Sequence, residues 1–328
     1  MTILVCGGAG YIGSHMVAAL LEQNHQAIVV DNLEVGHKAS LWPGAKFYEG
    51  DIRDRVFMNR VFSENNIDAV ANFVAYTQVK ESMENPAKYY DNNVGGMIVI
   101  LNQMLAHGVK KIVFSSSASV YGITDILPIT EDVPTNPISP YAETKLAGEK
   151  MLKWYDQAYG IKYTALRYFN VAGAHESAKI GEDHNPESHL IPLCIHAAQG
   201  KDPVFKIFGD DYNTPDGTNI RDYVHVMDLV DAHILALEKM GDTSAIYNLS
   251  SQNGFSNKEI VAAVKKITGI DFPVEVTARR PGDPDAAVAS SEKVRRELGW
   301  NPSRTNIDKI VSTAWAWHNS HPKGYGDK

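Results

Sequence analysis

Tyr141 and Lys145 stand four residues apart, directly after the pair Ser139-Pro140. A serine followed by proline starts a helix well, because the hydroxyl can accept from a free backbone N–H and proline needs no donor there. The spacing then puts the phenol and the ammonium on one face, one turn apart. That pair suits proton transfer. A tyrosine must lose about three pKa units to act as a base near neutral pH, on the order of 4 kcal/mol. One nearby cation lowers an acid by about 1–3 units. Lys145 alone would just reach that, and a second cation would reach it comfortably. By itself Y-x-x-x-K is also the spacing of an ordinary solvent-face pair, so its company decides. Ser115-Ser116-Ser117-Ala118-Ser119-Val120-Tyr121-Gly122 follows an apolar strand-like run. A hydroxyl such as Ser117 at that strand's end can hydrogen-bond the oxygen that the tyrosine deprotonates, and the small side chains leave room for a flat ring.

The second cation has a place. Gly7-Gly8-Ala9-Gly10-Tyr11-Ile12-Gly13 follows the first apolar run at once and satisfies both G-x-x-G-x-x-G and G-x-G-x-x-G. Glycines there let the backbone turn and approach a pyrophosphate at a helix N-terminus. Asp31 ends the next apolar run, eighteen residues after Gly13, near the distance at which a carboxylate accepts from both ribose hydroxyls. It would repel a 2′-phosphate, so NAD is expected rather than NADP. Asp51, at the end of the following strand, is placed to accept from the adenine amino group. An oxidised nicotinamide would then supply the second positive charge beside Tyr141.

The elements that must position these groups alternate. Strands are expected at Thr2–Cys6, Ala27–Asp31, Lys46–Glu49, Ala69–Phe73, Lys111–Ser115 and Tyr163–Arg167, with helices near Ile12–Gln23, Asp54–Glu64, Ala87–His107 and Tyr141–Tyr159. Such alternation predicts an α/β fold, a Rossmann-like doubly wound parallel sheet. After about Ala174 the chain turns to Gly-, Pro- and Asp-rich stretches between shorter elements, including a helix at Asn257–Thr268 with the S-x-x-E capping spacing of Ser256 and Glu259. The expected division is residues 1–173 for the NAD-binding domain and 174–328 mainly for a smaller C-terminal α/β substrate-binding lobe, with some chain crossing back. A net charge of -8 without a basic block argues against nucleic acid or an anionic membrane as partner. No apolar run has membrane-spanning length and no secretory leader is visible. Cys6 and Cys194 have neither disulfide nor metal spacing, and no metal site is expected. These features point to the cytoplasm.

With Asp31-Asn32-Leu33, Gly50-Asp51-Ile52-Arg53-Asp54, Asn92-Asn93-Val94, Leu166-Arg167-Tyr168-Phe169-Asn170, Arg221-Asp222-Tyr223-Val224-His225 and Arg279-Arg280-Pro281-Gly282-Asp283 added to these motifs, the whole chain resembles the extended short-chain dehydrogenase/reductase family. The late motifs are similar to those of its members that invert C4 of a UDP-hexose. The resemblance implies bound NAD, a UDP-sugar substrate, a homodimer formed by the helices near Ala87–His107 and Tyr141–Tyr159, and interconversion of UDP-galactose and UDP-glucose through a transient 4-keto sugar. It implies that Tyr141 is the base, that Lys145 tunes it and holds a ribose, and that Ser117 assists at the 4′-oxygen. On the cofactor side it adds Tyr11, Ile12, Asn32, Ile52, Phe73, Val74, Ala75, Thr77, Asn92, Ser115, Tyr168 and Phe169 to Gly7, Gly10, Gly13, Asp31 and Asp51. On the substrate side, Asn170, Arg221 and Arg280 would hold the diphosphate, where guanidinium forks suit phosphate. Phe208 would wall the uracil and Asp283 accept from its ribose. His189, with Leu190 after it, is a uridine or phosphate contact or an ordinary packed histidine.

Two departures carry weight. In Asn72–Lys80 the residues Tyr76, Gln78 and Lys80 are bulkier than in relatives, and Asn72 replaces a usual His, which bears on the nicotinamide side. Ala287 stands where a Tyr crowds the sugar pocket in members that prefer plain hexoses, which implies acceptance of UDP-GalNAc and UDP-GlcNAc. Rival readings remain open: a UDP-uronate epimerase, a 4,6-dehydratase (disfavoured, since Ala118 and Ser119 offer no carboxyl group), or a non-catalytic NAD-binding sensor.

Overall fold

The structure is a computed structural model that describes residues 1–280 and 282–326; Pro281, part of the Arg279–Asp283 motif, lies outside the described residues. In chain order the first half runs β1 (Thr2–Cys6), α1 (Tyr11–Glu22), β2 (Gln26–Asp31), β3 (Lys46–Glu49), α2 (Arg55–Ser63), β4 (Ala69–Asn72), α3 (Val79–Glu84), α4 (Pro86–Tyr89), α5 (Gly96–Ala106), β5 (Lys111–Ser115), α6 (Pro140–Tyr159) and β6 (Lys162–Tyr168). The second half adds β7 (Asn170–Ala172), α7 (Leu190–Ala198), β8 (Phe205–Phe208), β9 (Ile220–His225), α8 (Val226–Lys239), β10 (Ala245–Leu249), β11 (Gly254–Ser256), α9 (Asn257–Thr268), β12 (Val274–Thr277), β13 (Ala286–Ala287), α10 (Glu292–Leu298) and α11 (Ile307–Ser320).

Seven strands form one sheet in the order β10-β6-β5-β4-β1-β2-β3, and each neighbouring pair is parallel. Period-2 alternation sends β1 into two cores at once. Ile3 and Val5 pack on one face with Met16, Leu20, Val230 and Leu237. Leu4 and Cys6 pack on the other with Phe62, Met97, Ile100 and Leu152. Burial on both faces is what a central parallel strand requires. Strand order reverses between β1 and β4, and in such sheets the crevice at the carboxyl ends of those strands is where ligands bind. The Rossmann-like α/β architecture expected from the sequence is the one observed. The seventh strand, β10, comes from beyond residue 174 and pairs with β6, while α8 covers α1.

The expected long helix near Ala87–His107 is observed as one helical run from Pro86 to Ala106. The run comprises α4, a π-helical stretch over Tyr90–Gly95, and α5. The wider turn falls on Asn92-Asn93 and Gly95-Gly96; a Cβ on Gly96 would strike the Ile52 side chain. In the lobe, β9 pairs with β7, β11 and β13, and β8 pairs with β12. The capping box of α9 forms as its spacing predicts, with Ser256 accepting from Glu259 N–H and the Glu259 side chain accepting from Ser256 N–H.

Candidate active site

The glycine loop leaves β1 and enters α1 with two backbone constraints. Gly7 takes φ +80°, and a Cβ on Gly13 would collide with the Gly7 carbonyl. Helix α1 has no side-chain cap at Gly10 and no acidic residue in its first turn, so its N–H groups and positive dipole end face the crevice open to an anion. Asp31 locks the loop from below: its carboxylate accepts from Ala9 N–H at 3.0 Å and Leu33 N–H at 2.9 Å. Asp51 is held differently from the bare acceptor expected. Arg53 grips it through Nη2 at 2.6 Å and Nε at 3.0 Å, and these bonds keep its carboxyl below the usual range.

The loop opens into a cavity of about 430 Å³, ordinary for a small-molecule site. Its walls include every residue expected on the cofactor side, from Gly7 and Asp31 to Tyr168 and Phe169, together with Ser117, Asn170 and His189. Tyr141 reaches it because Ser139 caps α6 by accepting from Ala142 N–H at 3.3 Å, with Pro140 in the first turn. Ser117 Oγ accepts from Ser119 Oγ at 2.9 Å and Ser119 N–H at 3.2 Å. Those two bonds leave the Ser117 proton to donate, and a hydrogen bond joins it to Tyr141.

Lys145 is buried, donates to the Ser115 carbonyl at 2.7 Å, and lies 5.9 Å from the centre of the Tyr141 ring. Burial brings its pKa down to about 7. Burial likewise pushes the Tyr141 phenol up, opposed by the Ser117 hydrogen bond. The low-dielectric pocket penalises the charged form of both groups, and a further positive charge at the ring would lower the Tyr141 phenol. Behind the pair, Ser116 donates to Glu149 at 2.5 Å, and Arg167 closes on Glu149 through Nε at 2.8 Å and Nη2 at 2.6 Å, all buried. The ion pair ties β6 to α6, and the Ser116 hydrogen bond to Glu149 holds the residue after β5 there too, next to the Ser115 carbonyl that Lys145 uses.

The unusual Asn72–Lys80 segment sorts into two groups. Asn72 turns into the core, where it accepts from Val74 N–H at 3.1 Å, and Lys80 points to solvent near Glu84. Tyr76 and Thr77 line the cavity. The Tyr76 hydroxyl donates to Glu34 at 2.5 Å, spanning from the loop after β4 to the loop after β2, and Asn93 accepts from Tyr76 N–H at 2.9 Å. Glu34 carries no expectation from sequence, since a polar residue in a turn gives no signal.

The remaining substrate-side candidates sit in the lobe and do not line that cavity. Arg221 donates to the carbonyls of Ile220 and Pro284 and approaches Asp283 at 3.6 Å. Arg280 lies 3.8 Å over the Phe208 ring. Parallel pairing sets Ala287 beside Arg221 and Asn170 beside Tyr223, so Asn170, Arg221 and Ala287 gather along β9. Leu190 opens α7 and packs on the lobe core. His189 is not isolated: Glu182 lies 2.8 Å from its Nδ1 and Glu187 2.9 Å. Burial would lower its pKa, but the two carboxylates outweigh it and hold the imidazolium well above its ordinary range.

An open helix N-terminus, the Asp31 carboxylate and the Ser117, Tyr141 and Lys145 side chains share one crevice, an arrangement that suits a nucleotide-dependent oxidoreductive site. Residues 3–250 match the model of the NAD dependent epimerase/dehydratase family, and the chain belongs to that family. It is 57% identical over 332 residues to the UDP-glucose 4-epimerase of Streptococcus mutans, which it matches over 100% of both chains. Among solved structures, a UDP-glucose 4-epimerase crystal structure superposes with a TM-score of 0.98 at 52% identity, covering 99% of each chain. The Bifidobacterium longum UDP-glucose 4-epimerase in complex with NAD+ and UDP superposes with a TM-score of 0.93 at 39% identity, over 99% of this chain and 100% of that one.

Proposed function

We propose that this chain is an NAD-dependent isomerase that interconverts UDP-galactose and UDP-glucose at C4. The observation that carries the reading is that Ser117, Tyr141 and Lys145 meet in the same cavity as the glycine loop and Asp31. The residues present fit a dinucleotide: without a Cβ at Gly13 the Gly7 carbonyl closes onto the start of α1, and the first turn of that helix offers N–H groups to a pyrophosphate. NAD, when bound, supplies the acceptor and donor of the C4 hydride. Tyr141 takes the proton from the 4′-hydroxyl and later returns it, while Ser117 holds the same oxygen. Lys145 anchors the nicotinamide-side ribose and adds positive charge near the phenol. Asn170, Arg221 and Arg280 hold the diphosphate. With the substrate tethered at that end, the 4-keto sugar can turn over and present its other face. Incubation of the purified protein with UDP-galactose and no added NAD, followed by chromatography, should yield UDP-glucose; unchanged UDP-galactose in correctly folded protein rejects the reading.

Acceptance of N-acetylated sugars belongs to the same proposal. Ala287, half-buried beside Arg221, leaves space where a larger side chain would crowd the sugar. UDP-GalNAc should be turned over, and loss of that activity in Ala287→Tyr with UDP-galactose turnover kept would locate the determinant. A 4,6-dehydratase is not favoured: Ala118 and Ser119 carry no carboxyl group, and Glu149, which Ser116 reaches, is tied to Arg167. The reading includes a homodimer, supported by the exposed apolar side chains Ile98 on α5 and Trp154 and Tyr159 on α6. It also includes a cytoplasmic address, supported by two buried free cysteines. Among the described residues no helix is long and apolar enough to cross a membrane.

A further inference from the structure

One group of side chains beside the cavity has no part in the proton chemistry. Residues 182–189 read E-x-H-x-x-E-x-H, and Glu182, His184, Glu187 and His189 each bring one donor atom within 4.8 Å of the others. His184 Nδ1 is 3.1 Å from Glu182 Oε1 and 4.0 Å from Glu187 Oε2. His189 Nδ1 is 2.8 Å from Glu182 Oε1 and 2.9 Å from Glu187 Oε1. The two glutamate side chains are only 5% and 6% exposed. Two carboxylates withdrawn from water side by side need compensating positive charge, which the His189 imidazolium or a bound cation can supply.

We propose that Glu182, His184, Glu187 and His189 form a binding site for a divalent transition-metal ion of the zinc class. Two imidazole nitrogens and two carboxylate oxygens make a borderline N/O donor set, which suits zinc and its neighbours and disfavours calcium and magnesium. Metal–ligand bonds of about 2.0–2.2 Å in a tetrahedron put the donor atoms roughly 3.3–3.6 Å apart, inside the range of separations found here. The donors need little reorganisation, because the chain around Glu182 is held from several sides. The Glu182 carbonyl accepts from Trp317 Nε1 at 3.1 Å. The Tyr325 hydroxyl bridges Gly181 N–H and its carbonyl at 3.0 and 3.2 Å. Asp183 accepts from Tyr325 N–H at 2.8 Å. Glu187 Oε1 also accepts from the N–H groups of Ser188 and His189 at 2.7 and 2.8 Å, which orients the carboxylate. Such outer contacts set ligand geometry in metal sites. His189 heads α7 and Glu182, His184 and His189 border the cavity, so the bound ion ties the lobe to the rim of the crevice. The sequence-level expectation of no metal site rests on the cysteines and overlooks this spacing.

The test uses the full-length untagged protein after EDTA dialysis. Zinc titration by calorimetry should give one equivalent per chain, and cobalt(II) should give the intense visible absorption of a tetrahedral site. His184→Gln and Glu187→Gln should each weaken binding by at least about tenfold, with circular dichroism confirming that the fold is kept. If a variant does not fold, the cobalt spectrum of the parent protein decides alone. A parent protein with no stoichiometric zinc, a cobalt spectrum of hexa-aquo type, or undiminished binding in both folded variants overturns the proposal. In those cases the four side chains are only an imidazolium–carboxylate network.

Discussion

The crevice over β1 and β4 and the patch of substrate-side candidates along β9 are built differently. In the crevice each functional side chain is fixed by groups that take no part in chemistry: Asp31 by the glycine loop, Ser117 by Ser119, and Lys145 by the Ser115 carbonyl. Along β9 the candidates also meet one another: Arg221, held by the Ile220 and Pro284 carbonyls, faces Asp283, and Arg280 lies on Phe208. The first arrangement suits a cofactor that stays and a proton transfer that must be exact in position. The second suits a ligand that arrives and leaves each cycle, because its charged partners can exchange one another for phosphate and ribose at little cost.

That contrast can be broken at its strong end first. Tyr141→Phe should lower UDP-galactose turnover by about 10²–10⁴-fold, with NAD still released on denaturing the purified variant. Turnover within tenfold of the parent would place the base elsewhere. Next, Glu149→Gln should lower unfolding free energy by about 3–5 kcal/mol, because it strands Arg167 as an unpaired buried charge. A denaturant midpoint close to the parent's would mean that the crevice is not braced by this pair. In the patch, Arg221→Ala should raise KM for UDP-galactose by roughly 10–150-fold, from a charged hydrogen bond worth about 1.5–3 kcal/mol, with kcat little changed. An equal fall in kcat would show that the patch also positions the reacting carbon.

The smallest effect concerns Lys145 in the cofactor-free protein. Its folded pKa of about 7 lies below the ordinary 10.5, so between those values the unfolded chain binds the extra proton. Stability from this group is therefore lowest below about pH 7 and rises with pH up to 10.5, by at most about 1.4 kcal/mol per pH unit. Lys145→Met should remove that slope relative to the parent in unfolding curves taken from pH 7 to 9. Parallel curves for the two proteins would show that the ammonium finds water or a counter-charge in the open crevice.

Most of the fold was legible in the chain because it depends on local signals. Period-2 and period-3.6 apolar patterns, the Ser139-Pro140 start and the glycine loop each act within a few residues, and the strands and α6 stand close to where those signals put them. The π-helical turn at Tyr90–Gly95 was not legible, because an apolar period does not separate a π turn from the α-helix on either side of it. The substrate patch was readable as residue types and not as geometry. Nothing along the chain says that Ala287 pairs in register with Arg221, or that β10 completes a sheet begun by Thr2.

By itself, then, the sequence determined the α/β alternation, the dinucleotide loop with Asp31, and the placing of Tyr141 and Lys145 on one helix face, since short-range sterics and hydrogen bonding govern each. Only the tertiary structure decided what surrounds those groups. Burial depends on the packing of distant segments, and burial sets Lys145 near 7 and raises Tyr141. The same packing gathers donor atoms of Glu182, His184, Glu187 and His189 within 4.8 Å of one another. Charge in a protein answers to everything that excludes water from it, and that is a property of the folded whole.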